Sequence, residues 1–273
     1  MSRARRVFWR LLLVAGLSYA GVCATLLLAQ NRLLYVGTNL PPHVAPLPYA
    51  HFNDANGTQL GWLVQPAGTP RGTVVFFHGN DEQAWQAAQD YAPYFAARGW
   101  RVVLPEYRGF DFRAGQAPTH NSVIADAVAA TRLAGQRYPG PLFVAGNSLG
   151  AGIAAQAAKP GGAQRVLLFV PWDRMNAVAQ ERYPFVPARL LLALDGTDYD
   201  SCAALAGKGA DTFIIYAGHD TVIPPRHAAR LAACLGVPEG QRFFLSTATH
   251  MDWYKRLSPA QWNDMLRLPP GRD

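Results

Sequence analysis

Cysteine is scarce in this chain, with 3 in 273 residues, so a disulfide framework is excluded as the basis of its fold. Charged residues are also few, at 16% of the composition, and there is no repeat or low-complexity tract. Cys202 and Cys234 could pair in an oxidising compartment or stay as buried thiols, and the sequence leaves both open.

Acidic residues are absent from the first 32 positions, which hold five arginines: Arg3, Arg5, Arg6, Arg10 and Arg32. Residues 11–29 carry no charge, and a helix of that length spans about 28 Å, close to the hydrocarbon thickness of a bilayer. Because basic residues stay in the cytoplasm, we predict an N-terminal basic segment and transmembrane signal anchor over 1–32, with the remainder on the periplasmic side. A cleaved signal peptide is the alternative interpretation.

The formal net charge of +7 falls to +2 once those five arginines are set aside, so the remainder has no nucleic-acid-binding footprint. We expect a monomer whose partners are the membrane and a small-molecule or acyl-bearing substrate. Residues 33–273 suit one α/β domain with a well-buried core.

Short apolar runs alternate with helical patterns along this domain, after a hairpin whose turn is the Asn-Gly at 56–57. This alternation predicts a mostly parallel sheet with helices on both faces. The predicted strands are 51–54, 59–64, 73–77, 101–105, 141–145, 165–170, 212–217 and 242–245, and the helices are 82–97, 120–137, 149–158, 225–235 and 258–267.

Four predicted strands end in residues suited to catalysis, and ligands gather at the carboxyl ends of parallel strands. The His-Gly-Asn at 78–80 follows one strand, and Ser148, Asp220 and His250 follow three others. Ser148 stands in a Gly-x-Ser-x-Gly turn between a strand and a small-residue helix, which presents a serine as a nucleophile. The order Ser, Asp, His therefore predicts a triad of nucleophile, acid and base.

Two other residues compete for these roles. Asp173 follows the strand 165–170 and is the alternative acid. His227 is a rival base, but it falls in the predicted helix 225–235, and we expect it on the surface.

These motifs resemble the α/β-hydrolase-fold serine hydrolases over residues 36 to about 268. The resemblance is carried by the oxyanion turn at 77–80, the nucleophile elbow at 146–150, the acid loop at 218–224 and the histidine loop at 249–252. A membrane-anchored subgroup with a single N-terminal hydrophobic helix is similar in three further segments: 31–35, 106–110 and the short cap segment 183–192. The departures are Glu106 in place of the commoner Asp, an inserted-looking stretch at 195–198, and Met251 beside the histidine.

The resemblance implies an α/β-hydrolase fold with a short cap at about 174–200, preceded by the transmembrane helix. It implies hydrolysis of an ester or thioester, acyl- or lipid-like, through an acyl-enzyme, with the backbone N–H groups of Asn80 and Leu149 as the oxyanion hole. No organic cofactor or metal is required, and no cluster has metal-ligand spacing. The alternatives are an acyltransferase or a peptidase on the same triad, or a hydrolase-fold scaffold without turnover.

Overall fold

A computed structural model describes residues 2–196 and 198–268 of the chain. Three parts of the predicted segments lie outside the described residues: Met1 of the anchor 1–32, Thr197 of the cap at about 174–200, and residues 269–273 of the domain 33–273.

The described residues form a central eight-stranded sheet with the strand order β1-β2-β4-β3-β5-β6-β7-β8. The two pairings at one edge, β1 with β2 and β2 with β4, are antiparallel, and all the other pairings are parallel. The predicted mostly parallel sheet is therefore confirmed. Its strands are β1 (Ala50–Asn53), β2 (Gln59–Val64), β3 (Gly72–Phe77), β4 (Trp100–Pro105), β5 (Leu142–Asn147), β6 (Arg165–Phe169), β7 (Thr212–Ala217) and β8 (Arg242–Leu245).

One long helix precedes the sheet in the sequence, and the other helices connect its strands or follow the last one. They are α1 (Arg3–Leu34), α2 (Ala84–Asp90), α3 (Ala92–Ala96), α4 (His120–Arg137), α5 (Leu149–Gly161), α6 (Met175–Arg182), α7 (Ala188–Asp195), α8 (Ser201–Ala204), α9 (Pro225–Leu235), α10 (Trp253–Arg256) and α11 (Pro259–Leu266).

The helix predicted over 82–97 is two helices, because Pro93 in the first turn of α3 has no N–H to continue the α2 hydrogen-bond ladder. Helix α5 runs to Gly161, three residues past its predicted end. The described part of the cap segment contains α6 and α7, with α8 following it.

Apolar residues on successive strand positions enter two separate cores, one on each face of the sheet. In β3, Val75 and Phe77 belong to one core, and Val74 and Phe76 to the other, all with 0% exposure. This alternation buries both faces and matches the near-continuous apolar runs of the parallel strands.

Helix α1 contains no buried residue, and among the described residues it is the one helix long and apolar enough to cross a membrane. A signal sequence has the same length and composition. Its last turns are not free: Leu26 and Gln30 are half-buried, and the helix packs against α7 of the cap.

Cys202 and Cys234 form a disulfide, with their Cα atoms 6.1 Å apart. It joins α8, which follows the cap, to α9, which follows the acid loop. Cys23 in α1 is a free thiol.

This bond closes a loop with a sequence separation of 32 residues. We expect the Cys202→Ala/Cys234→Ala variant to lose about 3 to 4 kcal/mol of unfolding free energy, because the open chain gains loop entropy when it unfolds. Urea unfolding of the detergent-solubilised protein measures the loss. Cys23→Ser is the matched control and should unfold as the wild type does. Equal stability of the double variant and the wild type would contradict the expectation.

Candidate active site

The turn at Ser148 joins the end of β5 to the start of α5 and has a strained backbone, with φ 55° and ψ −117°. Glycine is required on both sides of it. A Cβ at Gly146 would lie 2.0 Å from the carbonyl oxygen of Gly150, and a Cβ at Gly150 would lie 2.0 Å from the carbonyl oxygen of Phe77. The close packing of these backbones lets the Ser148 side chain project from the carboxyl end of the sheet.

The structure brings together the three side chains predicted from the strand ends. His250 Nε2 lies 3.0 Å from Ser148 Oγ, and His250 Nδ1 lies 2.7 Å from Asp220 Oδ2. The other oxygen of Asp220 accepts hydrogen bonds from the backbone N–H groups of Val222 and Ile223, at 2.9 and 2.7 Å. The carboxylate therefore has a fixed orientation, and the imidazole is held between an acceptor and a hydroxyl.

The loops that carry the acid and the histidine are tied to each other by backbone hydrogen bonds. The N–H of Gly218 donates to Leu245 at the end of β8, and the N–H of His219 donates to Ala248, both at 2.9 Å. Because the two loops extend from adjacent parallel strands, β7 and β8, the distance between Asp220 and His250 is set by the sheet.

The side chain of His78 holds the predicted oxyanion turn in place through its hydrogen bonds. Its imidazole is fully buried, donates from Nδ1 to the Gly79 carbonyl at 2.8 Å, and faces Glu106 at 2.9 Å through Nε2. The Tyr107 ring stacks on it, with 3.9 Å between centroids. Burial opposes protonation, but the facing Glu106 carboxylate prevails and raises the pKa of His78. Glu106 and Tyr107 of the 106–110 motif therefore fix this turn.

A second group of polar side chains connects the turn, the elbow and the residue after the histidine loop, and no sequence motif predicts it. Glu82 accepts from the N–H of Gly79 at 2.6 Å and from the side-chain amide of Asn147 at 3.2 Å. The amide oxygen of Asn147 accepts from the indole of Trp253 at 3.0 Å. Burial is the largest influence on Glu82 and raises its pKa. Asn147 lies next to the predicted nucleophile Ser148. A polar amide at the end of an otherwise apolar strand was the one sequence feature that could have indicated this group.

The expectation that His227 lies on the surface is wrong. Its imidazole is buried, with Nδ1 2.7 Å from Asp173 and Nε2 2.9 Å from Glu181 of the cap helix α6. His227 lies in the first turn of α9, and its contacts with Asp173, which follows β6, and with α6 turn this part of the helix inward. Asp173, the alternative acid, is thus occupied by a histidine other than the one that faces Ser148.

A cleft of about 600 Å³ opens beside Ser148, between the cap and the last turns of α1. Asn80 and Leu149, the predicted oxyanion residues, line it together with Ser148. Leu149 is the first residue of α5, and the first N–H groups of a helix have no partner within it. The other residues that line the cleft are mostly apolar: Leu26, Gln30, Asn31, Leu33, Leu34, Trp172, Met175, Val178, Ala179, Arg182, Tyr183, Val186, Ala188, Leu191, Leu192, Thr221, Val222 and Ile223.

Within residues 2–196 and 198–268, no group of three or more His, Cys, Asp or Glu side chains is arranged to hold a metal ion.

The fold and this arrangement of side chains define the chain as an α/β-hydrolase-fold protein, and comparison with known proteins agrees. Residues 68–193 match the family model described as serine aminopeptidase, S33. The uncharacterized protein Rv2307c of Mycobacterium tuberculosis is 29% identical over 241 residues, covering 83% of this chain and 82% of the relative.

Two solved structures illustrate the fold-level likeness. An α/β hydrolase from Vibrio vulnificus has a TM-score of 0.64 at 18% identity, covering 87% of this chain and 91% of its own. The esterase PF2001 of Pyrococcus furiosus has a TM-score of 0.53 at 17% identity, covering 82% of this chain and 96% of its own.

The His227 contacts join the cap to the sheet and depend on pH. Burial opposes its charge, but hydrogen bonds to Asp173 and Glu181 raise the pKa of His227. The pKa of Asp173 is lowered, since its bonds to His227 and the backbone outweigh burial, and Arg226, above all, lowers that of Glu181 to about 2. The contribution of these contacts to stability is complete from about pH 5 to about pH 6.5, and it is lost as the pH rises through the raised His227 pKa.

We therefore expect His227→Gln to lower the unfolding free energy by about 2 kcal/mol at pH 6, because two carboxylates lose a charged partner. The difference in unfolding free energy between the wild type and this variant should narrow as the pH rises above about 6.5. Urea unfolding at each pH measures it, and His51→Gln, an exposed histidine on β1, is the control. A difference that stays constant with pH would contradict the assignment.

Proposed function

We propose that the protein is a serine hydrolase that cleaves an ester or thioester through an acyl-enzyme. The observation that carries the proposal is the unbroken series of contacts from Asp220 through His250 to Ser148 at the floor of the cleft. A serine hydroxyl is a weak nucleophile alone and needs a base oriented by a third group. This series supplies both the base and the group that orients it.

In the proposed reaction, Ser148 Oγ attacks the acyl carbonyl carbon while its proton passes to His250 Nε2. The oxyanion accepts hydrogen bonds from the backbone N–H groups of Leu149 and Asn80. Each such donor is worth about 3 kcal/mol of barrier. His250 then gives its proton to the leaving alcohol or thiol, and Asp220 stabilises the imidazolium. Water repeats the sequence on the acyl-enzyme and releases the acid.

An aminopeptidase is the second candidate, because the matching family model is described as serine aminopeptidase. An aminopeptidase must bind a free α-ammonium group, for which a carboxylate is the usual partner. Among the described residues that line the cleft, Arg182 is the one charged side chain, and no Asp or Glu is present. This lining favours an apolar acyl group over a peptide amino terminus.

The domain 33–273 is proposed to act on the periplasmic side, tethered by the anchor 1–32. The arginines before residue 11 and the uncharged run 11–29 support this orientation. The Cys202–Cys234 disulfide supports an oxidising compartment for the domain.

A fluorophosphonate probe tests the nucleophile directly. We expect the wild type to be labelled and Ser148→Ala to remain unlabelled, with hydrolysis of p-nitrophenyl esters reduced by about a thousandfold or more. Gel fluorescence and ester turnover measure the two effects. Aminoacyl p-nitroanilides, assayed in parallel, should be poor substrates. An unlabelled wild type would favour the scaffold alternative, and faster turnover of the anilides would favour the peptidase.

The two carboxylates are distinguished by matched substitutions. We expect Asp220→Asn to lower kcat by about ten-thousandfold, because the amide no longer holds the required tautomer of His250. Asp173→Asn should stay within about tenfold of the wild type, because Asp173 orients His227, which does not face Ser148. Steady-state ester hydrolysis by the two variants distinguishes the carboxylates. A large loss of kcat in Asp173→Asn and a small loss in Asp220→Asn would make Asp173 the acid.

A further inference from the structure

One hydrogen bond fixes the cap to the middle of the apolar helix. The phenolic OH of Tyr19 in α1 donates to the backbone carbonyl of Phe185, in the turn between α6 and α7, at 2.9 Å. The two residues are 166 positions apart in the sequence. The helix and the turn therefore lie side by side.

This contact determines how deep the cap would lie in a bilayer. Tyr19 stands near the centre of the uncharged run 11–29, and about 15 Å of helix separates it from residue 29. That distance is about half the thickness of the hydrocarbon core. If the run crosses the bilayer, the backbone beside Tyr19 must lie within the outer leaflet.

The cap residues at this level have the chemistry for such a position. Tyr183, Phe185 and Leu190, called here the cap tip, are 59%, 87% and 58% exposed. The six residues 183–188 carry no charge, and Arg182 and Arg189 flank them. Exposed apolar side chains bordered by arginines are typical of segments that insert into a leaflet, because arginine side chains reach back to the headgroups.

The cleft leads from this level to the nucleophile. Leu26, Gln30 and Leu33 of α1 line it on one side, and Val186 and Leu191 of the cap line it on the other. One wall of the cleft is thus the last turns of the anchor itself. An acyl chain lying along the anchor would enter between the helix and the cap without crossing water.

We propose that the cap tip inserts into the outer leaflet and that the cleft receives its substrate, an acyl ester of a membrane lipid, from that leaflet. The substrate assignment rests on the proposed hydrolase function, whereas the insertion of the cap tip does not. The tests of the insertion and of the substrate both use the full-length protein with its anchor.

Insertion is tested by depth-dependent quenching. Phe185→Cys is made in a Cys23→Ser background, labelled with an environment-sensitive fluorophore and reconstituted into phosphatidylglycerol/phosphatidylethanolamine vesicles that contain doxyl lipids. We expect a blue-shifted emission and strong quenching by the doxyl chain. Phe244→Cys, at an exposed phenylalanine on β8, is the matched control and should be unquenched. Equal, weak quenching at both positions would overturn the insertion.

The substrate class is tested with Phe185→Asp/Leu190→Asp, since neither side chain lines the cleft. We expect turnover of a long-chain acyl ester of phosphatidylglycerol in vesicles to fall by about tenfold or more, because two apolar side chains no longer enter the leaflet. Turnover of p-nitrophenyl butyrate in solution should stay within about twofold. Phe244→Asp should change neither rate.

The outcomes separate this inference from the function on which it rests. A wild type that is labelled at Ser148 and hydrolyses the short ester but leaves the vesicle lipid intact would overturn the lipid substrate alone. Equal loss of both rates in the aspartate variant, with normal fluorophosphonate labelling, would assign Phe185 and Leu190 to the cleft instead of the leaflet. A wild type without labelling would instead contradict the proposed function.

Discussion

The site depends on the close approach of two backbones at the elbow. Gly150 contacts the carbonyl of Phe77 so closely that a Cβ would lie 2.0 Å from its oxygen, and Gly146 is equally close to Gly150. This approach brings the start of α5 against the end of β3. The helix N-terminus and the oxyanion turn therefore meet beside Ser148, and the parallel pairing of β3 with β5 holds them at that distance. The loops after β7 and β8 then have only to carry the acid and the base to the same edge of the sheet.

Polar side chains also hold the turn at 78–80. The buried imidazole of His78 faces Glu106, and Glu82 joins the turn to Asn147 of the elbow. Glu82 belongs to the same loop as this turn, but Glu106 follows β4 and Asn147 ends β5, so the turn is not positioned by its own sequence alone. A buried polar network specifies one arrangement only when its members are satisfied, and the hydrogen bonds here meet that condition for these side chains.

The sequence predicts the sheet, the elbow and the meeting of Ser148, Asp220 and His250, because strand periodicity and glycine spacing are local and parallel strands end at one edge. It does not predict the partners of His227. Helical periodicity assigns a face, but the contacts with Asp173 and Glu181 depend on how three separate elements pack. The same limit applies to Glu82, Asn147 and Trp253. Whether Cys202 and Cys234 pair depends on the positions of α8 and α9, which no local pattern encodes.

The imidazoles of His227 and His250 each contact an aspartate through Nδ1, and they differ in what faces the other ring nitrogen, Nε2. His250 has Asp220 on Nδ1, and its Nε2 faces the hydroxyl of Ser148. His227 has a carboxylate on both nitrogens, which favours the charged form of its imidazole. A charged imidazole cannot act as a base, but it can hold the cap helix α6 to the end of β6. The same chemical pair thus faces a serine hydroxyl at one strand end and holds the cap at another. The cap is held over the cleft from the sheet side by His227 and from the α1 side by Tyr19.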